Sequence, residues 1–499
     1  MSETIDFFNG DRYRAAIFLD RYALNGEKTL VDISNRFKRV LDKDFHDGID
    51  NYISTMKFIP GGRILRGLGS EHKLTLFNCL ALPGPLDELT GDGSIYRTAE
   101  RLARALKLGA GVGMDLSNLR PQGGTLGKSG GMASGPVSFA GLYSYTVSSI
   151  SQGGNRRGAV LLSLKAGHPD IKKFIFCKNK DERDIRYANI SVRFNEKPNN
   201  KILGWIAEAA WNTGEPGVIF DDKINEDFGP AMVGEKFESV NACSEIPLPA
   251  WGVCCLGAIN LNELVDIDGN VDWDGIEKAT EFGVKFLNKV LDYSAEHDLY
   301  PFEESKIVAM KTRQIGVGIM GLAHAFIKKG VPYGSPESID FCRELILAIR
   351  NAAKKVQKNN TSLLSCQPTG TTSIVCGTTS GIEPLFALEY DRKDENKFIK
   401  IKDPIFKLLK DKRPANVFKC AHEIHWRERL AVQGELQAVV DNAISSTINL
   451  PYSTTKQTIL EIFKTSYRIG LKSITVFREG CLREAIMTTD GCKSGSCDL

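Results

Sequence analysis

The sequence lacks every feature that would commit it to a special environment. Its 64 basic and 61 acidic residues nearly cancel, leaving a formal charge of +3. So even a balance carries no nucleic-acid or membrane-surface signature. No run of about 18 or more apolar residues occurs, so no transmembrane helix is expected. The start, Met1-Ser-Glu-Thr-Ile-Asp-Phe-Phe8, is acidic and lacks the basic-then-apolar order of a secretory signal. Cysteine is sparse too: 12 in 499 residues are too few for a disulfide scaffold. Without a signal peptide these thiols are expected to sit reduced in the cytoplasm. There they are inert, metal-binding or redox-active, and spacing must decide which.

What is present is an ordinary globular composition on a chain long enough to bury a sizeable core. Residues 1–75 read as helical, with apolar positions at helical spacing through Tyr13, Ile17, Phe18 and Tyr22, then Ile33, Phe37, Val40 and Leu41. Pro60-Gly61-Gly62 breaks that pattern. Beyond it, helical stretches mix with short apolar strands such as Phe77-Asn78-Cys79-Leu-Ala-Leu82, an α/β pattern.

One stretch concentrates the chemistry: Asn241-Ala-Cys-Ser-Glu-Ile-Pro-Leu-Pro-Ala-Trp-Gly-Val-Cys-Cys-Leu-Gly-Ala-Ile-Asn-Leu261. In an extended segment, side chains two apart share a side. Asn241, Cys243 and Glu245 are therefore expected to project together, offering a sulfur, a proton-exchanging group and a neutral hydrogen-bonding group. Cys254 and Cys255 follow. Taken alone, the run also fits a buried strand whose thiols merely pack.

Several loops add to it. Gly109-Ala-Gly-Val-Gly-Met-Asp115 is a poor dinucleotide-binding turn, since it lacks the third glycine and the following helix pattern. Ser151-Gln-Gly-Gly-Asn-Arg-Arg-Gly-Ala159 pairs glycines with two arginine forks suited to phosphate or base edges, or to solvent. Arg313-Gln-Ile-Gly-Val-Gly-Ile-Met-Gly-Leu322 reads as tight packing. Gln367-Pro-Thr-Gly-Thr-Thr-Ser373 is a hydroxyl-rich turn opening a helix, which offers side-chain donors and backbone N–H groups to an anion. The end, Asp490-Gly-Cys-Lys-Ser-Gly-Ser-Cys-Asp-Leu499, reads as a flexible tail carrying Cys492 and Cys497. A structural zinc site needs four ligands and this pair is two, so thiol exchange suits it better.

In this order the motifs resemble those of ribonucleotide reductases, where Asn-x-Cys-x-Glu precedes Cys-x-Leu-Gly-x-Ile-Asn-Leu. The N-terminal run Phe58-Ile-Pro-Gly-Gly-Arg-Ile-Leu65, Ser380-Gly-Ile-Glu-Pro-Leu-Phe386 and Val440-Asp-Asn-Ala-Ile-Ser-Ser-Thr-Ile-Asn-Leu-Pro451 extend the match. The resemblance implies a ten-stranded α/β barrel with a central finger loop carrying Cys243. Its expected layout is a helical region at 1–75 with no room for an ATP-binding regulatory domain, a catalytic barrel at 76–480 and a redox tail at 481–499. It implies Cys243 as thiyl radical, Glu245 as proton acceptor and Asn241 as the group orienting the substrate. Cys79 and Cys254 become the redox-active disulfide pair, and Cys492 and Cys497 the tail dithiol that reduces it. Substrate binding falls to Ser70, Asn78, Gly109, Gly111, Thr369, Gly370, Thr371, Thr372 and Ser373. A specificity effector would be met by Arg120, Lys128, Gln152 and Arg156, although Ala81-Leu-Pro-Gly-Pro-Leu86 stands where many relatives place an acidic base-reading residue.

Radical generation divides the family. The metal-dependent branch relays electrons through adjacent tyrosines, where this chain reads Thr475-Val476; a glycyl-radical segment is also missing. Gly470-Leu-Lys-Ser-Ile-Thr-Val-Phe-Arg478 resembles instead the adenosylcobalamin-dependent class II branch. The expected partners are a ribonucleotide, diphosphate more often than triphosphate in relatives, a deoxynucleotide or ATP effector, a thioredoxin- or glutaredoxin-like reductant and a second copy forming a homodimer. No metal site is expected. The alternatives are a catalytic subunit needing a separate radical-generating protein and a non-catalytic nucleotide-binding regulator.

Overall fold

The computed structural model describes residues 1–127, 130–152, 156–179, 185–394, 397–482 and 487–488, with backbone only at 151–152, 156–157, 390–394, 397–401 and 487–488. The N-terminal region folds as helices Ser2–Phe7, Arg12–Arg21 and Leu30–Val40. The spacing read from Phe18, Ile33 and Phe37 becomes their buried face. Thr29 and Asp32 form a capping box at the start of the third helix, each satisfying a backbone N–H of the other's turn. A short strand, β1 (Phe58–Pro60), then leads into the barrel.

Five strands follow in order: β2 (Cys79–Ala81), β3 (Gly111–Asp115), β4 (Val160–Lys165), β5 (Asn189–Phe194) and β6 (Gly217–Phe220). Each pairs in parallel with the next. A second parallel set comprises β7 (Leu256–Asn260), β8 (Gly316–Met320), the bridged segment 364–366, β9 (Thr447–Leu450) and β10 (Ser473–Arg478). The two sets meet antiparallel at both edges. Ser473 of β10 pairs with Ile219 of β6, and Leu80 bridges Val253 just before β7. The ring is thereby closed as the expected ten-stranded α/β barrel, with β1 lying outside against β7.

Parallel strands covered on both faces should be apolar throughout, and β3, β7 and β8 are buried at every position. Their outer cover includes helices Ile95–Lys107, Asn200–Thr213, Trp273–Glu296, Pro336–Lys355 and Lys456–Arg468. Ser94, Asn199, Asp272, Ser335 and Thr455 cap these helices through side-chain oxygens, so each starts where a polar residue takes up an unpaired N–H. Among the described residues no helix is long and apolar enough to cross a membrane.

Candidate active site

The Asn241–Glu245 run is not extended. Ser239–Val240 pairs antiparallel with Pro247–Leu248, and residues 241–246 turn between them. Asn241 makes that turn. Its N–H donates to Ile246 O and its Oδ1 accepts from Ile246 N, both at 3.1 Å, while its carbonyl accepts from Ser244 N at 3.0 Å. Ser244 takes the left-handed conformation, φ +66°. The three chemical side chains are therefore gathered by a hairpin tip, since hydrogen bonding within the turn wins over strand alternation.

Barrel strands hold this tip from several sides. Ser365 Oγ and Ala443 N both donate to Glu245 O at 2.9 Å, and Ser473 Oγ donates to Ser244 O at 3.3 Å. Ala242, Ile246 and Leu248 pack with Cys79, Ala81, Cys254 and Leu256 inside the ring. A β-carbon on Gly113 would fall 1.7 Å from Val240 O, so only glycine lets the hairpin lie against β3. Gly113, Ala443 and Ser473 lie within runs quoted from the sequence, but their grip on the tip was not legible there, and Ser365, two positions before Gln367, fell just outside the quoted turn.

Burial sets the electrostatics. Asn241 and Glu245 are buried, whereas Cys243 is exposed. Desolvation pushes the Glu245 carboxyl up to about 7, partly offset by the Asn241 amide. Such a group exchanges a proton readily near neutrality. Asn241 Nδ2 and Glu245 Oε2 are both buried, and apart from the weak approach of the Asn241 amide to the carboxyl and to Cys79, neither has a well-formed hydrogen bond among the described residues. Each such orphan costs about 1–3 kcal/mol, so the pair is matched to a ligand that donates and accepts.

Cys79 and Cys254 come together across the antiparallel edge, where Cys254 N donates to Cys79 O at 2.9 Å. Their thiols are themselves hydrogen-bonded. The Cys254 thiol holds Cys79 below the ordinary thiol range, while burial drives Cys254 well above it. The pair can thus give up two electrons with one sulfur already inclined to ionise. Cys255 has the opposite pleat. Its Sγ donates to Leu287 O at 3.5 Å, outside the ring, and burial raises it strongly; it is a packing residue.

The remaining expected residues are less uniformly placed. A β-carbon on Gly111 would sit 3.2 Å from Cys79 Sγ, and one on Gly109, at φ +96°, would meet the Arg63 guanidinium at 2.4 Å. These glycines make room for a sulfur and an arginine. Asn78 Oδ1 accepts from Arg63 N at 3.1 Å, and Ser70 Oγ from His72 N at 3.0 Å. In the 369–373 turn, Gly381 N donates to Thr369 Oγ1 at 2.9 Å, and Thr372 and Ser373 donate back to Thr369 O and Gly370 O. Thr371 is bonded to Tyr22 of the N-terminal region, a link sequence did not suggest. Arg120 is ion-paired with Asp87 and donates to Thr125 O at 2.7 Å, so its charge is already balanced. Gln152 and Arg156 pair in a two-stranded hairpin, their side chains outside the description. Lys128, Cys492 and Cys497 lie outside the described residues. Among those described, no group of three or more His, Cys, Asp or Glu side chains forms a metal site.

Comparison with known proteins gives consistent results. The family model for the ribonucleotide reductase barrel domain matches residues 82–202, 195–359 and 350–477. A vitamin B12-dependent ribonucleoside-diphosphate reductase of Mycobacterium tuberculosis (strain CDC 1551 / Oshkosh) is 31% identical over 563 residues, covering 95% of this chain and 80% of that protein. A protein of the same description from Thermoplasma acidophilum is 29% identical over 518 residues, covering 88% of this chain and 66% of that one. Among solved structures, the Actinobacillus ureae class Id ribonucleotide reductase alpha subunit superposes with a TM-score of 0.79 at 18% identity, over 94% of this chain and 97% of that chain.

Proposed function

Since the chain belongs to the ribonucleotide reductase family, we propose that it converts ribonucleotides, diphosphates foremost, to 2′-deoxyribonucleotides by thiyl-radical chemistry with adenosylcobalamin. The observation that carries this reading is the meeting of Cys243, Glu245 and Asn241 with the bonded thiols Cys79 and Cys254 at one hairpin tip inside the barrel. The relatives named as vitamin B12-dependent supply the cofactor.

The site suits that cofactor. Of its three thiols only Cys243 is exposed, so a radical source meets it first and leaves the reducing pair shielded. Ser244 and Ser473 of β10, which adjoins the tip, would face it with small side chains. The chemistry such a cofactor supplies when bound is removal of one hydrogen atom from Cys243.

Each later step falls to side chains of this chain. The Cys243 thiyl takes the 3′-hydrogen of the ribose. The Glu245 carboxylate accepts the 3′-hydroxyl proton, and Asn241 Nδ2 donates to a sugar hydroxyl. The 2′-hydroxyl leaves as water, for which Cys79 and Cys254 give two electrons and two protons and become a disulfide. Glu245 then gives its proton back to O3′, and Cys243 returns the hydrogen atom to C3′. Cys492 and Cys497 reduce the buried disulfide by thiol exchange and are recharged by a thioredoxin- or glutaredoxin-like protein. Thr369, Gly370, Thr371, Thr372 and Ser373 hold the substrate phosphates, with Ser70, Asn78, Gly109 and Gly111 forming the wall around the sugar. Lys128, Gln152 and Arg156 meet a nucleotide effector, and Arg120 joins them by exchanging Asp87 for a phosphate. The working form is a homodimer in which residues 76–480 are the catalytic barrel and residues 481–499 the redox arm.

Reduction of CDP by the purified chain, with dithiothreitol and an effector mixture, tests the proposal. Product should form only with adenosylcobalamin and should vanish in Cys243→Ser. No dCDP with cobalamin present would defeat the reading.

A further inference from the structure

Beyond the hairpin tip, the inner wall of the barrel carries a second set of unmatched polar atoms. Which residues face inward is fixed by packing. A β-carbon on Gly316 would meet Ile246 and Leu256, both inside the ring, so alternate positions of β7 and β8 point inward: Leu256, Ala258 and Asn260, and Gly316, Gly318 and Met320. Opposite positions point out, as Gly257 does against Phe58. On the neighbouring segment Ser365 touches Glu245 O, and Gln367 is the next residue with the same facing.

Gln367 is only 8% exposed, yet its Oε1 has no hydrogen-bond partner among the described residues. It occupies a built recess. A β-carbon on Gly318 would lie 2.5 Å from that Oε1, so glycine keeps the space for the carboxamide. Two further buried polar atoms toward the outlet of β8, Asn260 Nδ2 and Thr379 Oγ1, likewise have no partner among the described residues. Thr379 O accepts from Gly321 N at 2.9 Å, which places its loop at the outlet of β8. Gln367 therefore stands between Glu245 on one side and the turn beginning at Thr369 on the other.

We infer that the Gln367 carboxamide is a substrate contact spanning the sugar–phosphate link of a ribonucleotide. The inference rests on the reading above: hydroxyls at Glu245 and phosphates at 369–373 leave the 5′ carbon and its oxygen to cross Gln367. An amide suits that crossing, because Nε2 donates to the 5′ oxygen or first phosphate while Oε1 accepts from a sugar hydroxyl. A buried polar group that serves packing alone would have found a partner within the protein.

The test is equilibrium binding of CDP to the Cys243→Ser chain, alone and combined with Gln367→Leu or with the near-isosteric Gln367→Glu. Gln367→Leu should weaken binding about tenfold, the effect of one lost hydrogen bond to a charged ligand. Gln367→Glu should weaken it further by setting a carboxylate beside phosphate. In the chain with Cys243 intact, KM should rise by the same factor and kcat change far less, with the thermal midpoint of Gln367→Leu no lower than the parent's. Unchanged affinity in both variants, or loss of fold in Gln367→Leu, would overturn the inference. A parent that binds CDP but never forms dCDP would instead sink the reductase reading and leave Gln367 to be judged by binding.

Discussion

The carboxyl of Glu245 shows the conflict that burial creates at a single residue. Its pKa is raised from 4.5 to about 7 by desolvation. Between those values the folded chain binds more protons than the unfolded one, so this group's contribution to stability falls as pH rises from 4.5 to about 7, then levels off. Above that range the buried carboxylate costs about 3 kcal/mol. Glu245→Gln should remove the cost and raise Tm above pH 7, with the gain fading toward acid. The same change should lower kcat by about 10²- to 10⁴-fold, the usual worth of a positioned base. In the parent chain, kcat should climb with pH through about 7. Calorimetry across pH and a pH–rate profile check both, and a flat profile would remove Glu245 as the base.

At the scale of elements, the hairpin that carries Cys243 depends on a neighbouring strand with nothing to fill the space. Gly113→Ala would place a methyl 1.7 Å from Val240 O, a contact that backbone must move to relieve. The expected loss is about 1–3 kcal/mol in stability, as for overpacked cores. Activity should fall by about 10²-fold, because a shift of about 1 Å in reacting groups is that expensive. Gly204→Ala makes the control: nothing lies within 4 Å of its β-carbon in helix Asn200–Thr213, and the change should be neutral or slightly stabilising. Thermal melts and turnover of the two variants side by side would separate crowding from glycine chemistry.

At the scale of the molecule, a buried carboxamide holds neighbouring segments of the second parallel set together. Asn442 Nδ2 donates to Ile315 O at 3.1 Å and Leu364 O at 2.8 Å, while its Oδ1 accepts from Gln314 Nε2 at 2.8 Å. Gln314 in turn donates to Pro247 O at 2.8 Å, tying the hairpin that carries Cys243 to the wall. Asn442→Ala removes three buried hydrogen bonds at once, although Gln314 Nε2 keeps Pro247 O and Leu364 O keeps the backbone N of residue 442, and should destabilise the chain by roughly 3 kcal/mol. A drop of several degrees in Tm is expected, with activity failing at a lower temperature than in the parent. A Tm equal to the parent's would show that the second parallel set does not depend on this residue.

The sequence by itself pointed to the residues proposed to carry chemistry. Asn241, Cys243, Glu245, Cys79 and Cys254 were legible because their types and order match a known pattern, and helix or strand identity followed from apolar period and capping residues. The α/β class and the helical start were equally plain. Tertiary structure alone decided the rest. That Cys79 meets Cys254, while Cys255 turns outward, depends on an antiparallel edge between segments far apart in the chain, and local spacing carries no such distance. That the Cys243 run is a turn depends on the Asn241 side chain bonding Ile246. The Gln367 Oε1 is unmatched among the described residues only because the barrel buries it, and burial is a property of the assembled barrel.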